Sequence, residues 1–350
     1  MEEYERDGTR ASPYAGYLAD DPAIRAYLFD KFGPAHTYSP TVLETYAACP
    51  LCFFIEKVLE VEALPEIELN LSARDRGTAV HNILSAFYRA WKGAGRGRVH
   101  LSELAEAGEL MSGIVTAELG RYTFMSPAWE ATCIQMTGSP ATGPGIFTRF
   151  LHKEANEEDS PLVPSYFEFT FGMRRDENDD PASVPDPVAI IPVGGTEPVR
   201  IKGRVDRIDI TPDGRFAIYD YKTGSQIATR NEIASGKALQ IPLYLLAYEQ
   251  ISHKQGVLGG YYRIRREVED RIVLLDDAGR DLVVSSNPRA TKDFRAALLA
   301  SLKYSAEYIR GIRAGEFMLP AEEKCQNPYC EFSTICRFDP SRLFSSTEGT

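Results

Sequence analysis

Apolar residues recur with two different periods along the chain, and these periods predict helices and strands in mixed order. From Thr78 to Trp91 they return every three or four residues, which places Val80, Ile83, Leu84 and Phe87 on one side of a helix. The same spacing predicts further helices over residues 41–59, 238–250 and 290–314.

Shorter stretches alternate with a period of two, as strands do. They cover residues 166–171, 199–210, 216–221, 257–265, 270–275 and 282–285. In the first of them Phe167, Phe169 and Phe171 are expected on one side of the strand, with Glu168 on the other. Helices and strands in this order predict an α/β fold with a central mixed sheet flanked by helices.

The segment Thr211-Pro-Asp-Gly-Arg215, which separates two of these strands, is a turn signal. Pro212 presets φ for a type I turn, and Gly214 can take the left-handed conformation that closes a three-residue loop. The flanking strands are therefore predicted to form a β-hairpin in which Thr211 pairs with Arg215.

The register of this hairpin decides its chemistry. With Thr211 opposite Arg215, Asp206 lies opposite Asp220 on the same face, and Lys222 joins them two residues further along. Two carboxylates and an ammonium group at the open end of a hairpin can hold a divalent metal beside an activated water. The three side chains therefore indicate a hydrolase of phosphodiester bonds.

Composition limits where such a protein acts. Hydrophobic residues make up 43% of the 350 residues, yet no apolar run reaches the ~20 residues of a membrane span. The first residues also lack the apolar core of a signal peptide, so we expect a cytoplasmic protein without membrane contact.

The net charge of −11 does not favour nucleic acid, but the acidic residues are concentrated in residues 1–36 and 153–187. The remainder is close to neutral, which permits DNA binding. Basic side chains that could line a groove are Arg204, Arg207, Lys222, Arg263, Arg265 and Arg266.

The pattern suggests one domain with extensions. Residues 1–36 are acidic and weakly patterned, so we expect a flexible N-terminal segment, followed by a domain over 37–338. Within it, residues 93–150 read as a helical insertion and 325–336 as a cysteine cluster, and residues 339–350 are expected to form a flexible tail.

The chain has six cysteines: Cys49, Cys52, Cys133, Cys325, Cys330 and Cys336. The last three form Cys-x4-Cys-x5-Cys, which in a cytoplasmic protein suggests metal before disulfide. Four thiolates, with Cys49 as the distant member, could hold an iron–sulfur cluster or a zinc ion. The role of Cys52, in a Cys-x-x-Cys with Cys49, stays open, and Cys133 is expected to be inert.

Three more residues complete the candidate set. His81 follows Gly77 by one helical turn, and Gln240 and Tyr244 also lie one turn apart on a helix. Each pattern alone is common on structural helices, so none of them establishes a site.

In combination, the order of these motifs resembles the RecB-like PD-(D/E)XK nucleases. The motifs are Tyr-x-x-Cys-Pro, Gly-x-x-x-His, Gly-Arg-x-Asp-Arg-x-Asp, Asp-Tyr-Lys-Thr-Gly, Gln-x-x-x-Tyr and the cysteine trio, over about residues 39 to 337. The layout is most similar to the iron–sulfur nuclease domain of AddB-type helicase–nuclease subunits. One departure is the Cys-x4-Cys spacing, where the AddB trio usually opens with Cys-x2-Cys.

The resemblance implies a restriction-endonuclease-like core and a role for each candidate residue. It assigns the metal, Mg²⁺ or Mn²⁺, to His81, Asp206, Asp220 and the backbone carbonyl of Tyr221, with Glu168 as a further possible ligand. Lys222 would act with Asp206 and Asp220 in catalysis. Gln240 and Tyr244 would contact DNA. A 4Fe–4S cluster that staples the C-terminus, with zinc as the alternative, would be held by Cys49, Cys325, Cys330 and Cys336.

The function that the resemblance implies is a metal-dependent deoxyribonuclease, expected to be an exonuclease, that acts on DNA ends or single strands in recombination and repair. A helicase subunit is a possible partner. The alternative is a catalytically silent iron–sulfur module that binds DNA or docks a partner within a helicase–nuclease complex.

Overall fold

The computed structural model describes residues 12–62, 70–124, 126–224, 226–284, 289–318 and 330–336. Its α-helices are α1 (Pro22–Phe32), α2 (Pro40–Ala48), α3 (Pro50–Phe53), α4 (Ala73–Gly93), α5 (Leu104–Leu119), α6 (Pro127–Thr137), α7 (Ile146–Ala155), α8 (Arg230–Ala234), α9 (Gln240–Ser252), α10 (Phe294–Ala314) and α11 (Ser333–Cys336). Its strands are β1 (Gly138–Ser139), β2 (Gly143–Pro144), β3 (Val163–Phe171), β4 (Val188–Ile190), β5 (Val199–Ile201), β6 (Gly203–Ile210), β7 (Arg215–Lys222), β8 (Gln255–Ile264) and β9 (Val268–Leu275). None of these helices is long and apolar enough to cross a bilayer.

A five-stranded sheet in the order β3-β6-β7-β8-β9 forms the centre of the fold. Strands β7 and β8 run parallel, and the other neighbours run antiparallel. The parallel pair needs a crossover, which α8 and α9 provide. The predicted α/β fold with a central mixed sheet and flanking helices is therefore confirmed.

Helices cover both faces of this sheet and bury a separate hydrophobic core on each. On one face, α1, α2, α9 and α10 contribute buried leucines such as Leu28, Leu43, Leu245 and Leu298. We call this side the α9 face. On the other face, which we call the α4 face, the core includes residues of α4, α5, α6 and α7. The four α4 residues predicted to face the core are all fully buried there.

Two elements at the N-terminal end differ from the prediction. The expected flexible segment contains α1, which begins after the capping side chain of Asp21 and buries Leu28 and Phe32 in the core. Residues 1–11 of that segment and the predicted tail over 339–350 lie outside the described residues.

The single helix predicted over 41–59 is also wrong, because the chain leaves helical geometry at Cys49 (φ −159°, ψ 104°). Pro50 explains the break, since a proline disfavours helical geometry at the residue before it. Helix α3 and a π-helical turn, Phe54–Val58, follow the break.

Near the other end of the domain, the strand expected over 282–285 is replaced by a 3-10 helix, Asp277–Leu282. Residues 283 and 284 form no strand, and residue 285 lies outside the described residues. The strand predicted over 199–210 is divided at Lys202 into β5, which pairs with β4 in a separate two-stranded sheet, and β6 of the central sheet. The other predicted helices and strands lie close to their predicted bounds, and the expected helical insertion contains α5, α6, the start of α7 and the short β1–β2 pair.

Strand β3 changes faces at Glu168, contrary to the predicted alternation. Phe167 packs on the α4 face, whereas Phe169 and Phe171 pack on the α9 face. The cause is the left-handed backbone of Glu168 (φ 53°), which reverses the side-chain alternation at one residue. The opposing strand β6 switches at the same level, because Val205 packs on the α9 face although Arg207, two residues later, lies on the α4 face.

Arg207 is fully buried, so its predicted place in a basic groove is wrong. Its guanidinium lies 2.6 Å from Asp209 Oδ1 and 2.9 Å from Glu154 Oε2, and it donates to the hydroxyl of Tyr88 at 2.9 Å. The neighbouring charges of Arg207 and Arg98 outweigh burial and lower the pKa of Glu154 to about 2. This network ties α7 to the sheet.

Candidate active site

The hairpin that carries the candidate acids has the predicted register. Thr211 N–H donates to the carbonyl of Arg215 at 2.9 Å, and Gly214 adopts φ 89°. The ladder runs from Ile210 opposite Phe216 to Arg207 opposite Tyr219. The turn therefore fixes which residues of the two strands come side by side.

The ladder of main-chain pairs between β6 and β7 ends at Arg207 and Tyr219. Beyond it, the side chain of Asp206 accepts a hydrogen bond from the main chain of β7. Asp206 Oδ2 accepts from the N–H of Tyr221 at 2.7 Å. The side chain is only 6% exposed, so this contact holds its second oxygen in a fixed direction. The opening of the hairpin thus brings a carboxylate into the gap between the strands.

That second oxygen faces two other candidate ligands. His81 Nδ1 lies 3.3 Å from Asp206 Oδ1 and 3.4 Å from Glu168 Oε1. Ligand atoms of these three side chains lie within 4.8 Å of one another. His81 comes from α4, Glu168 from β3 and Asp206 from β6, so three separate elements converge on one point.

Two buried carboxylates, those of Glu168 and Asp206, lie close together here and favour a nearby positive charge. Burial, with the charge of Asp206 adding to it, raises the pKa of Glu168 against the opposing effect of His81. Burial alone would lower the pKa of His81, but Asp206 and Glu168 outweigh it and raise that pKa well above its ordinary value. Carboxylates gathered around an imidazole are a donor set that fits a divalent metal such as Mn²⁺ or Mg²⁺.

The carbonyl of Tyr221, a candidate ligand by resemblance, lies at the same place. His81 Nε2 donates to it at 3.1 Å. Tyr221 therefore contacts two members of the group through its main chain, its N–H bound to Asp206 and its C=O to His81.

Asp220 and Lys222 form the adjacent half of the site. Lys222 Nζ lies 2.7 Å from Asp220 Oδ2, and the amide of Gln240 donates to Asp220 Oδ1 at 2.7 Å. Lys222 also donates to Gln240 Oε1 at 3.2 Å. Burial and then the charge of Asp206 raise the pKa of Asp220 to about 7, against the opposing charge of Lys222.

The structure thus joins all the predicted acids and the lysine in one region, but gives them different surroundings. His81, Glu168 and Asp206 form the tight group of potential ligands. Asp220 instead binds Lys222 and Gln240, and the charges of Asp206 and Asp220 are close enough to interact.

The two members of the Gln-x-x-x-Tyr motif have different environments. Gln240, at the start of α9, links Asp220 to Lys222. Tyr244 is 5% exposed and packs so closely on Gly203 that a Cβ at Gly203 would lie 2.4 Å from its ring. Its ring also meets Phe171 edge-on, so Tyr244 contacts the protein core.

Sequence reasoning missed Glu44, which holds the start of α9. Its Oε1 accepts from the N–H groups of Leu239 at 2.6 Å and Gln240 at 2.9 Å, across 195 residues of sequence. Free N–H groups at a helix start favour such an acceptor, particularly a negative one. In the sequence, Glu44 is one acid on a helix before Cys49. Nothing in that pattern indicates contact with Leu239 and Gln240.

Three of the four expected cluster cysteines, and their neighbour Cys52, lie among the described residues. Cys52 Sγ lies 3.9 Å from Cys330 Sγ, although 278 residues separate them. Cys49 Sγ accepts from the N–H of Cys52, and hydrogen bonds from Cys52 lower the pKa of Cys49 to about 6 despite burial. Cys336 is buried beside Leu51 and Phe54, and Cys325 lies outside the described residues.

The described members of this set therefore gather at one end of the fold, where the two ends of the domain meet. Low thiol pKa values favour metal binding and reactivity alike. The expected inert residue, Cys133, lies on α6, on the opposite face of the sheet.

Comparison with known proteins agrees with this geometry. Residues 37–337 match the profile of the PD-(D/E)XK nuclease superfamily. The chain is 23% identical over 295 residues, 81% of its length, to a subunit of the ATP-dependent helicase/deoxyribonuclease of Thermoanaerobacter sp. (strain X514), of which it covers 24%. It is 23% identical over 401 residues, 97% of its length, to the protein of the same name from Clostridium perfringens (strain SM101 / Type A), of which it covers 33%.

The chain spans a quarter to a third of the length of these relatives. The family match, by contrast, includes every candidate residue of the site. The chain belongs to the PD-(D/E)XK nuclease superfamily.

Proposed function

We propose that the chain is a Mg²⁺- or Mn²⁺-dependent deoxyribonuclease that hydrolyses DNA ends or single strands by exonuclease action. The observation that carries this proposal is the convergence of His81, Glu168 and Asp206 next to the Asp220–Lys222 pair. A cation site beside an ammonium group is suited to a phosphodiester, which carries negative charge and gains more during attack by water.

In this proposal His81, Glu168 and Asp206 hold the metal, and the carbonyl of Tyr221 and Asp220 stand next to them. The contacts of Asp220 with Lys222 and Gln240 leave it lone pairs with which to share the ion, since each carboxylate oxygen has two. When bound, a divalent ion would polarise the scissile phosphate and make its water more acidic.

Lys222 would orient the attacking water and offset phosphate charge. Burial favours a neutral lysine, but Asp220 outweighs it and raises the pKa of Lys222, which keeps the side chain a hydrogen-bond donor at neutral pH. Asp220 and Gln240 hold its ammonium in place. Gln240 would therefore act by positioning Lys222 and Asp220, in addition to any contact of Gln240 or Tyr244 with DNA.

The cysteine end would carry a metal centre. We propose that Cys49, Cys325, Cys330 and Cys336 hold a 4Fe–4S cluster, with zinc as the alternative and Cys52 as a further candidate ligand. The support is the approach of Cys52 to Cys330 and the low pKa of Cys49, both of which suit thiolate ligands.

A helicase partner is part of the proposal because the relatives are named as subunits of ATP-dependent helicase/deoxyribonucleases. The chain covers only 24% of the length of the first of these relatives. We therefore assign DNA cleavage to this domain, in the cytoplasm, and propose that unwinding comes from a partner.

The test is cleavage of end-labelled single-stranded and blunt duplex DNA with Mg²⁺, with Mn²⁺ and with chelator. We expect Asp220→Ala to lower the cleavage rate at least about a hundredfold and to leave DNA binding largely intact. Asp277→Ala, which removes an exposed acid, is the matched control and should cut like the wild type.

A variant Asp220→Ala that cuts at the wild-type rate would reject this site. A wild-type chain that binds DNA but cuts none with either metal would support the catalytically silent module. The pattern of labelled products distinguishes exonuclease from endonuclease action.

A further inference from the structure

Four arginines gather beside the candidate active site, on the α4 face. Arg76, on the first turn of α4, lies close enough to Arg265 for the two charges to interact. Its guanidinium donates to Gln135 of α6 at 3.0 Å. Gln135 in turn lines a cavity of about 570 Å³ together with Arg149 and Arg266. We call Arg76, Arg149, Arg265 and Arg266 the arginine cluster.

The charges of the arginine cluster are not neutralised. Among the described residues, no carboxylate lies within 4 Å of any of the four guanidinium groups. Arg76 Nε is buried without a hydrogen-bond acceptor. Burial and the charge of Arg265 lower the pKa of Arg76. In a chain of net charge −11, four arginines without an acidic partner form a local basic surface that can attract an anion.

The cluster lies next to the reacting region. Strands β7 and β8 run parallel with Lys222 opposite Arg263, so Arg265 follows two residues beyond the level of the lysine. On the other side, Gly77 approaches Thr223, since a Cβ at Gly77 would lie 3.5 Å from Thr223 Oγ1. The residue before Gly77 is Arg76. The cluster therefore lies at the same end of β7 and β8 as Lys222, close to the start of α4.

The cavity beside the cluster has a mixed wall. Ile134, Pro144 and Ile146 line it along with Arg149 and Arg266. Guanidinium groups recognise phosphate through paired N–H donors, and the apolar wall can pack against a sugar. A sugar–phosphate backbone satisfies both parts of this surface.

We propose that the arginine cluster binds a backbone phosphate of the DNA strand beyond the scissile one, and so sets the path by which the strand leaves the active site. The inference rests on the proposed function for the identity of the strand. It adds a phosphate site outside the metal ligands, Lys222 and Gln240.

The test compares the double variant Arg265→Ala/Arg266→Ala with Arg25→Ala. Arg265 and Arg266 are exposed in the turn between β8 and β9, so their removal should leave the fold intact. Arg25 is an exposed arginine of α1, which packs on the α9 face, and its removal is the control. Circular dichroism and a thermal melt verify that each variant is folded.

Binding of a short labelled single-stranded oligonucleotide is measured over a series of salt concentrations, with Ca²⁺ in place of Mg²⁺ to prevent cleavage. We expect the double variant to bind about tenfold more weakly, and the slope of log K against log[salt] to become shallower by about 0.7 for each phosphate that is no longer bound. Arg25→Ala should keep the wild-type slope and affinity.

Hydrolysis of a small phosphodiester, bis(p-nitrophenyl) phosphate, separates this inference from the proposed function. The double variant should hydrolyse it at the wild-type rate, because this substrate has no flanking phosphate. Unchanged affinity and salt slope in the folded double variant would overturn the phosphate site. A wild-type chain that shows the salt-dependent binding but cleaves neither substrate would overturn the nuclease and leave the phosphate site standing.

A second variant, Arg76→Gln, tests the same site from the other side. It removes the charge next to Arg265 and keeps a side chain that can reach Gln135. We expect weaker oligonucleotide binding and a shallower salt slope, as for the double variant. Wild-type binding by a folded Arg76→Gln protein would exclude Arg76 from the site.

Discussion

Glu168 stands at the most constrained point of the candidate site. It is a non-glycine residue with φ 53°, it is 7% exposed, and it lies in the group with His81 and Asp206. A left-handed conformation at such a residue costs about 1–3 kcal/mol and persists only where the surroundings fix it. Phe167 and Phe169, on either side of it, pack on opposite faces of the sheet, so this backbone marks the point beside the other two ligands where the alternation of β3 changes.

Glu44 is a second residue whose importance depends on its partners. We expect Glu44→Ala to lower kcat for DNA cleavage about tenfold or more with little change in KM, because Gln240 loses its fixed backbone and Lys222 its orientation. Loss of this cap should also lower the free energy of unfolding by about 1 kcal/mol. Steady-state kinetics and urea denaturation measure the two effects.

Glu44→Gln is the matched control for this prediction. Its amide oxygen can still accept from the N–H groups of Leu239 and Gln240, so it should recover most of the rate. Equal loss in Glu44→Ala and Glu44→Gln would show that the charge matters and that the hydrogen bonds do not. No loss in either would exclude a positioning role.

At the scale of elements, α7 is fastened to the sheet by buried charges. Glu154 of α7 pairs with Arg207 of β6, and it accepts from the hydroxyls of Tyr88 at 2.5 Å and Tyr262 at 2.7 Å. Without Glu154, Arg98 and Arg207 would share Asp209 and leave an excess of buried positive charge, which costs about 3–5 kcal/mol. Helix α7 is therefore joined to the central sheet by more than apolar packing.

We expect Glu154→Gln to lower the free energy of unfolding by about 3–5 kcal/mol at neutral pH. The pKa of Glu154 is depressed to about 2 in the folded protein, so its contribution is complete above its ordinary pKa of about 4.5 and is lost as the pH falls toward 2. Urea denaturation of both proteins over this range should show the difference shrinking with acidity.

Glu109→Gln, a change at an exposed acid of α5, is the control and should alter the free energy of unfolding by less than about 0.5 kcal/mol. A difference between Glu154→Gln and the wild type that stays constant from neutral pH to pH 2 would contradict the linkage to this carboxyl group.

The sequence predicted elements and sites best where the determining contacts are local. The turn around Gly214 set the hairpin register, and that register brought Asp206 and Asp220 into one region. The face change at Glu168 and the burial of Arg207 were missed, because both depend on elements far away in sequence. A period-two pattern also gives no sign of a single left-handed residue.

On the scale of the whole molecule, residues near the start of the described chain lie against the residues that follow α10. Leu18 N–H donates to the carbonyl of Gly315, Phe317 N–H donates to that of Gly16, and Cys52 lies beside Cys330. Loop closure over nearly the entire chain is entropically costly in the unfolded state, so a metal centre here would stabilise the fold substantially.

We expect Cys330→Ser to lower the metal content of anaerobically purified protein and to reduce the melting temperature, because the proposed centre would lose one ligand. Cys133→Ser should change neither quantity. Visible absorbance with iron in the wild type would identify an iron–sulfur cluster, and zinc without such absorbance would identify the alternative. Equal metal content in wild type and Cys330→Ser would argue against Cys330 as a ligand.

Helix α2 carries Glu44 and ends at Cys49. The same short helix therefore reaches the cysteine end of the fold and caps the start of α9. If oxidation opened the cysteine end and displaced α2, Gln240 would lose the hydrogen bond from its N–H to Glu44. The hydrogen bonds that Gln240 makes to Asp220 and Lys222 would then also be weakened. Under the proposed function, a chain whose cysteine end has opened would therefore lose the positioning of Asp220 and Lys222, and with it DNA cleavage.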